Sequence, residues 1–231
     1  MLKIKNVKIY DLKESVIACR NAMRISVPEY TDDEFEKSLD RAKKLVLASK
    51  NSPDVKCHDN FLKGIRVSFD IIYPQYIAPE LQRYSFLDIV TSSSKMHRLM
   101  KMNLDEACNK YVDKATMDAC QWWIDKYNAF LESDKASLNL EMRDGSVLEC
   151  RTRDEALYAL RMKALSNCPL GLELFMRVST NYKQLQTIYH QRINHRLKED
   201  WGAFCRFIEG LPYAEDFITG KMPEENETSN Q

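Results

Sequence analysis

The chain lacks any long apolar run. Among its 231 residues no apolar stretch approaches the roughly 20 residues that a membrane-spanning helix needs. The opening segment MLKIKNVKIY also lacks the apolar region of a secretory signal peptide. These absences predict a cytoplasmic protein that has no membrane partner.

The chain also has no net charge. Its 34 lysine and arginine residues are balanced by 34 aspartate and glutamate residues, so no overall field draws it towards nucleic acid or an acidic membrane. One basic and aromatic stretch, YHQRINHR at 189–196, is of a kind that binds RNA. Because no RNA-binding module accompanies it, we predict no nucleic-acid partner and expect any anion site to be local.

Metal-binding spacings are missing as well. The seven cysteines are odd in number and include no Cys-x-x-Cys pair, which argues against a disulfide framework and against a structural zinc site. The four histidines form no signature such as H-E-x-x-H. The sequence therefore predicts no metal, and it predicts reduced thiols that are mostly buried.

What the chain does have is enough apolar content, 44%, for a large core. Alternation of apolar and polar residues predicts a first strand in IKNVKIYDL. A clearer strand lies in GIRVSFDII, where the alternate residues from Ile65 to Ile71 share one face and Pro74 ends the strand.

Capping signals predict where two helices begin. Thr31 with Glu34, and Thr152 with Glu155, have the spacing of a capping box, in which each side chain accepts a hydrogen bond from the backbone N–H of the other residue. The first box predicts a long helix that runs towards Lys50, and the second predicts a helix late in the chain.

The remaining segments mix helix and strand. We predict a short helix before Pro28, two helical stretches interrupted by the polar run 91–95, and a helix in ATMDACQWWIDKYNAFLES. A hairpin is predicted at Asp144-Gly145, and PLGLELFMRVS is predicted to be a strand or an extended connector. No internal repeat is visible, so the predicted fold is a single α+β domain over residues 1–221, with a mixed or antiparallel sheet flanked by long helices. Residues 222–231 are polar, and we predict a disordered tail there.

Arginines interrupt an apolar pattern in QTIYHQRINHRLKEDW, residues 186–201. Its spacing predicts one long helix, with Asn181, Arg192 and Arg196 on the apolar face. One interpretation is a surface helix whose arginines extend over apolar neighbours into water, since arginine is rarely buried. The other is an anion site, because a guanidinium is a rigid fork of donors that matches a phosphate or a polarised carbonyl.

The polar run TSSSK at 91–95 has two interpretations too. Serine and threonine favour solvated loops because they bond to nearby backbone groups. The same run at the start of a helix is a possible phosphate cradle made of hydroxyls, backbone N–H groups and Lys95. It is not a P-loop, because no glycines accompany it.

Taken in order, these segments resemble the flavin-dependent thymidylate synthases from Val7 to Leu211. NAMRIS is similar to the family's A-A-R-x-S segment and puts Arg24 and Ser26 at its conserved positions. HDNFLKGIRVSFDIIYPQYIAPELQRY is similar to the family's H-x-[ST]-P-F-E-H stretch, the strand that follows it, and the entry to the R-H-R motif.

The C-terminal likeness has no gap. CPLGLELFMRVSTNYKQLQTIYHQR follows the family's L-P-L, strand, N-x-R-x-L and final L-R pattern, which puts Arg192 at the arginine that binds the pyrimidine. The central R-H-R-x-x-S-x-N-E-x-S-x-R signature is altered, and Glu80 replaces the glutamine before it. At the signature positions the chain has Arg83, Tyr84, Ser85, Asp88, Val90, Thr91, Ser93 and Lys95, with Ser94 as the matching serine if the alignment shifts by one.

The resemblance implies an enzyme, a homotetrameric methyltransferase with shared active sites that converts dUMP to dTMP with FAD, NADPH and methylenetetrahydrofolate. It implies Arg192 as the catalytic residue. The implied substrate-binding residues are Glu80, Ser93, Ser94, Lys95 and Arg192. The implied cofactor-binding residues are Ser26, His58, Asn60, Arg83, Tyr84, Asn181 and Arg196.

Two alternatives stay open at this point. Glu80 and Thr91 change the polar groups expected near the substrate, so a related flavin-dependent enzyme that modifies another pyrimidine nucleotide, such as dCMP, is one alternative. The other is a non-catalytic nucleotide-binding protein of the same fold.

Overall fold

The computed structural model describes residues 1–51 and 58–220. Residues 52–57, which include Cys57, and the predicted tail at 222–231 lie outside the described residues. The described strands are β1 (Lys3–Tyr10), β2 (Arg66–Pro74), β3 (Asp88–Ser92), β4 (Leu138–Glu141), β5 (Val147–Cys150) and β6 (Glu173–Asn181). The described α-helices are α1 (Leu12–Ala18), α2 (Asp32–Asn51), α3 (Ala78–Leu81), α4 (Lys95–Arg98), α5 (Leu104–Ala107), α6 (Lys114–Glu132), α7 (Arg153–Ser166), α8 (Tyr182–Arg192) and α9 (Lys198–Glu209).

Four strands form one sheet in the order β1-β2-β6-β3. β2 and β6 are the two central strands. Tyr182 N, just after the end of β6, donates to Ile65 O, just before the start of β2, at 3.1 Å. At the opposite end, Gln75 N, just after β2, donates to Leu172 O, just before β6, at 3.0 Å. This register makes β2 and β6 antiparallel. The mixture of helices with an antiparallel sheet confirms the predicted α+β class.

The other two strands, β4 and β5, form the predicted antiparallel hairpin. Its turn contains Gly145, whose φ of 81° lies in the left-handed region. Glycine adopts this conformation without the clash that a Cβ atom would bring, so the Asp144-Gly145 signal was a reliable one.

The chain folds into two compact units that interleave along the sequence. Among the described residues, one unit contains residues 1–51, 58–71, 81–91 and 177–220, and the other contains Ile72–Glu80 and Ser92–Met176. A single domain over residues 1–221 stays a prediction.

The core of the first unit forms where β2 meets α9. The four alternate residues predicted to face inwards, from Ile65 to Ile71, are all 0% exposed. Among them Phe69 packs against Phe204 and Phe207 of α9, with ring centroids 6.0 and 4.9 Å apart. The period-two pattern in the sequence therefore located this core correctly.

The core of the second unit forms between α6 and α7. Cys120 of α6 is fully buried, and its Sγ donates to Ala164 O of α7 at 3.7 Å. The start of α7 confirms the second predicted capping box: Glu155 N donates to Thr152 Oγ1 at 3.3 Å, and Thr152 N donates to Glu155 Oε2 at 3.2 Å.

The first predicted capping box is only half formed. Glu34 N donates to Thr31 Oγ1 at 3.2 Å, so the start of α2 is as predicted. The Glu34 carboxylate, however, accepts hydrogen bonds from Arg20 and Arg24. Two guanidinium partners, which come from an earlier part of the chain, take the place of the local backbone N–H.

Other local predictions were wrong. The short helix before Pro28 is only a 3₁₀ turn at Asn21–Met23, and the helical stretch predicted before the polar run contains the strand β3. β3 forms because it pairs with β6 in the sheet, a tertiary interaction that overrides local propensity. Within the described residues, none of the helices has the length and apolarity that crossing a bilayer requires.

Candidate functional site

The helix predicted through residues 186–201 is broken into two. α8 ends at Arg192 and α9 begins at Lys198, so the prediction that Arg196 shares the helical face of Arg192 was wrong, and Arg196 is exposed. In the turn between the helices, Leu197 N donates to His195 Nδ1 at 3.2 Å. The break allows α9 to bury Trp201 completely, and periodicity alone cannot reveal that gain.

Asn181 begins α8. It is the last residue of β6 and the N-cap of the helix, where its Oδ1 accepts a hydrogen bond from Gln184 N at 2.9 Å. This bond satisfies one of the N–H groups that the first turn of a helix leaves without a partner. Asn181 therefore has a structural role, and its contact with flavin stays a prediction.

Arg192, the last residue of α8, lies against two aromatic rings. Its Cζ atom is 4.4 Å from the ring centroid of Trp201 and 5.5 Å from that of Tyr84. Its Nε donates to Tyr84 Oη at 2.6 Å. A guanidinium held over an indole face is attracted by the ring's quadrupole, and a cation at the end of a helix is stabilised by the helix dipole.

A cleft of about 490 Å³ opens beside this arginine. It is lined by Arg83, Tyr84, Ser85, Phe86, Gln184, Thr187, Gln191 and Arg192. Three of the predicted site residues, Arg83, Tyr84 and Arg192, are thus brought together. Phe86 adds an aromatic ring that is 63% exposed. Cations next to an exposed aromatic ring suit a planar ligand with polarised carbonyl groups.

A second cleft of about 730 Å³ lies in the same unit, between α2 and the segment that follows α1. Its lining includes His58, one acidic residue and four cationic residues, namely Asp40, Arg20, Lys37, Arg41 and Lys44. Arg41 and Lys44 have no hydrogen-bond or ion-pair partner among the described residues. A cleft with this charge is suited to a phosphorylated ligand.

Cys19 also lines the second cleft. Burial raises the pKa of its thiol to about 11, although the nearby charges of Arg20, Arg41 and Arg24 act in the opposite direction. The thiol is therefore protonated near neutral pH and is a poor nucleophile. The two remaining predicted residues of this region, Ser26 and Asn60, are exposed and do not belong to the lining.

The predicted phosphate-binding residues lie in the second unit. Ser93 is tied to β6, because its N–H donates to Phe175 O at 2.8 Å and its Oγ accepts from Phe175 N at 3.0 Å. Ser94 is the N-cap residue of α4, and its side chain makes no capping bond. Lys95 is the first residue of that helix and is half-buried. Glu80 lies in α3 and is also half-buried.

Two residues that shape the Arg192 site were not predicted from the sequence. Trp201 forms the surface on which the guanidinium lies, and Gln191 accepts a hydrogen bond from the Tyr84 hydroxyl at 3.2 Å. Trp201 stands nine positions after Arg192, on another helix, so its spacing gave no signal.

Neither a protein-family model nor a curated protein sequence matches the chain. Solved structures do match it. The flavin-dependent thymidylate synthase ThyX from Helicobacter pylori, crystallised with FAD and dUMP, aligns with a TM-score of 0.59 and 16% identity over 94% of this chain and 97% of that chain. A second crystal structure of ThyX from Helicobacter pylori with FAD and dUMP gives a TM-score of 0.56 and 15% identity, covering 94% of this chain and 96% of that one.

A third similar structure is a UMP/dUMP methylase, PolB from Streptomyces cacaoi, bound with 5-Br dUMP. It aligns with a TM-score of 0.55 and 10% identity over 94% of this chain and 92% of that chain. These alignments, which extend over nearly the whole length of each protein, confirm that this chain has the fold of the flavin-dependent thymidylate synthases.

Proposed function

We propose that this chain is a flavin-dependent enzyme that modifies a pyrimidine nucleotide, and specifically an FAD-dependent methyltransferase that converts dUMP to dTMP with methylenetetrahydrofolate and NADPH. One observation carries the proposal. The fold is shared with proteins crystallised with FAD and dUMP. On this fold, Arg192 is held over Trp201 at the edge of a cleft whose volume, about 490 Å³, is in the range of small-molecule sites.

Arg192 is the proposed catalytic residue. Its guanidinium would hydrogen-bond to a polarised carbonyl of the base, orient the ring and stabilise negative charge that develops there during the reaction. Because the Trp201 indole covers part of the guanidinium, that charge is less screened by water than it would be on an exposed arginine.

The phosphate of the nucleotide needs a separate set of donors. We assign it to Ser93, Ser94 and Lys95, with Glu80 as a further substrate-binding residue. The backbone of Ser93 is fixed by its hydrogen bond to Phe175, and the short helix that follows begins at Lys95. A hydroxyl and an ammonium group on this framework can both donate to phosphate oxygens.

The residues of the second cleft fit FAD. Arg20, Arg41, Lys44 and His58 contribute the cationic and imidazole groups that a diphosphate prefers. Near them the buried Nε of Arg24 has no hydrogen-bond partner among the described residues. When bound, the flavin supplies hydride chemistry that amino-acid side chains cannot provide.

The other proposed cofactor-binding residues follow the family positions. Ser26, Asn60, Arg83, Tyr84, Asn181 and Arg196 are assigned to this role. Several of them are exposed on the single chain, and in the homotetramer that we propose a second copy would complete their surroundings.

The absorbance spectrum of the purified protein tests the proposal. We expect flavin bands in the near ultraviolet and the blue, either directly or after addition of FAD. A double variant, Arg41→Gln with Lys44→Gln, removes two cations from the second cleft and is expected to weaken flavin retention. A colourless protein that binds neither added FAD nor dUMP would contradict the proposal.

A second candidate is the methylation or other modification of a different pyrimidine nucleotide. The UMP/dUMP methylase among the similar structures, together with Glu80 and Thr91 at altered signature positions, favours testing UMP and dCMP beside dUMP. Turnover rates for the three nucleotides separate these reactions. A non-catalytic binding protein would instead be stabilised against heat by nucleotide and not by flavin.

A further inference from the structure

Tyr84 stands where the family pattern has the histidine of R-H-R. Its hydroxyl group acts both as a hydrogen-bond acceptor and as a hydrogen-bond donor. The hydroxyl accepts a hydrogen bond from Arg192 Nε at 2.6 Å and donates one to Gln191 Oε1 at 3.2 Å. A phenol has one proton to donate, and a guanidinium is only a donor, so the direction of both bonds is determined. The residue itself is 9% exposed.

Trp201 provides a second constraint on the same guanidinium. Its ring is completely buried, and Arg192 Cζ lies 4.4 Å from the ring centroid. The rings of Tyr84 and Trp201 meet edge to face, with centroids 6.1 Å apart and planes at 77°. The two groups that hold Arg192 therefore also hold each other in place.

Such an arrangement matters because an arginine side chain is long and flexible. A free arginine loses this freedom when a ligand binds, which weakens the affinity. An arginine that is already oriented by its neighbours loses less, so an orientation fixed in the protein strengthens binding and keeps the donors aligned.

We propose that Tyr84 is a positioning residue, which fixes the guanidinium of Arg192 in the orientation that meets the pyrimidine base. The identity of the ligand rests on the proposed function. The Tyr84–Arg192 hydrogen bond and its effect on the arginine do not, so the two can be tested separately.

The first test uses the protein without any ligand. In ¹H–¹⁵N spectra of arginine side chains, Arg192 should give an Nε–H signal that exchanges slowly with water, and the signal is identified by its loss in Arg192→Lys. Tyr84→Phe removes the acceptor and should abolish the slow exchange. Tyr189→Phe is the matched control, because the Tyr189 hydroxyl on the same helix bonds instead to Glu209, at 2.8 Å, and the Arg192 signal should persist.

The second test measures binding of dUMP. Trp201 fluorescence in a Trp122→Phe, Trp123→Phe background reports on the indole beneath the guanidinium. We expect Tyr84→Phe to raise the Kd for dUMP about tenfold, the size expected for loss of one hydrogen bond to a charged group. Tyr189→Phe should leave the Kd unchanged.

The outcomes separate the two proposals. If the wild-type protein shows the protected Arg192 signal but binds no pyrimidine nucleotide, the proposed function fails and the positioning of Arg192 stands. If the signal survives in Tyr84→Phe, or if that variant only lowers the melting temperature and binds dUMP with wild-type affinity, the positioning role is refuted.

Discussion

At the scale of single residues, two arginines of this chain are held in the same way but in different surroundings. Arg192 bonds to the hydroxyl of Tyr84, and Arg161 Nη2 donates to Tyr127 Oη at 2.7 Å, with its Cζ 5.3 Å from that ring. Arg192 lines a cleft, whereas Arg161 belongs to α7 and packs against α6. Arg161 therefore shows what such an arginine–tyrosine contact contributes to stability alone, whereas Arg192 can also contact a ligand in the cleft.

Replacement of Arg192 by lysine is expected to weaken dUMP binding by ten- to a hundredfold, because lysine keeps the charge but loses the planar fork of donors. The folded state should persist. Arg161→Lys is the control and should change stability while leaving the affinity unaltered. Titration calorimetry measures the affinities and thermal unfolding measures the stability. Equal dUMP affinity in wild type and Arg192→Lys would rule out the assigned role.

The ion-paired carboxylate of Glu34 is expected to make the stability of the protein depend on pH. The hydrogen bond from Arg24, helped by the charge of Arg20, holds the pKa of its carboxyl below the usual range. The unfolded chain then binds a proton more readily than the folded one, so this contribution to stability is present above about pH 4.5 and is lost as the pH falls through the lowered folded pKa.

Melting temperatures measured from neutral pH down to about pH 3 test this effect. Glu34→Gln should flatten the fall in stability at the acid end. Glu36→Gln, a change at an exposed position of the same helix, should not. An acid limb that is identical in wild type and Glu34→Gln would show that the ion pairs with Arg20 and Arg24 contribute nothing.

At the scale of elements, the reciprocal capping box at the start of α7 is a complete local device. Thr152→Ala removes one of its two hydrogen bonds and should lower the free energy of unfolding by about 1 kcal/mol. Urea denaturation measures the change. Thr187→Ala, on an exposed position of α8, is the control, and a loss as large in that variant would contradict a specific effect of the cap.

The elements also show what sequence reasoning can and cannot predict. The strand β2, the hairpin at Gly145 and the start of α7 depend on patterns within a few residues of each other, and all were predicted. The strand β3 and the break before α9 depend on partners far along the chain, namely β6 and the buried site of Trp201. Local propensity contains no record of such partners.

In the candidate site, too, the features that depend on local patterns were predicted and those that depend on distant partners were not. The sequence indicated Arg192 as an arginine on an apolar helical face, and the geometry adds why it is held there. Trp201 was missed because the periodicity did not reveal the turn between α8 and α9. Gln191 was missed because its partner, Tyr84, lies far away along the chain. Arg196 was assigned to the wrong face because one helix was predicted where the chain forms two.

At the scale of the whole molecule, the fold leaves apolar side chains on the surface. Met23, Ile25 and Val27 are 84%, 106% and 86% exposed. They occupy alternate positions in the segment that precedes α2. Alternating apolar side chains this exposed are typical of a protein-protein contact. The proposed homotetramer would cover them.

Light scattering tests the assembly. We expect a mass close to four times the 27.0 kDa of one chain, and Ile25→Asp should reduce it by placing a charge in the contact. Val147→Asp, a change on the exposed hairpin, is the control and should leave the mass unchanged. A wild-type protein that remains a monomer at all concentrations would exclude shared active sites.

The proposed function is tested most directly by incubating the purified protein with dUMP, FAD, NADPH and methylenetetrahydrofolate, and by measuring dTMP by chromatography. The wild-type protein should form dTMP, and Arg192→Ala should form almost none while it still retains flavin. Two results would contradict the role of Arg192 in a pyrimidine-modifying enzyme: failure of the flavin-loaded wild-type protein to alter dUMP, UMP or dCMP, and full activity in Arg192→Ala.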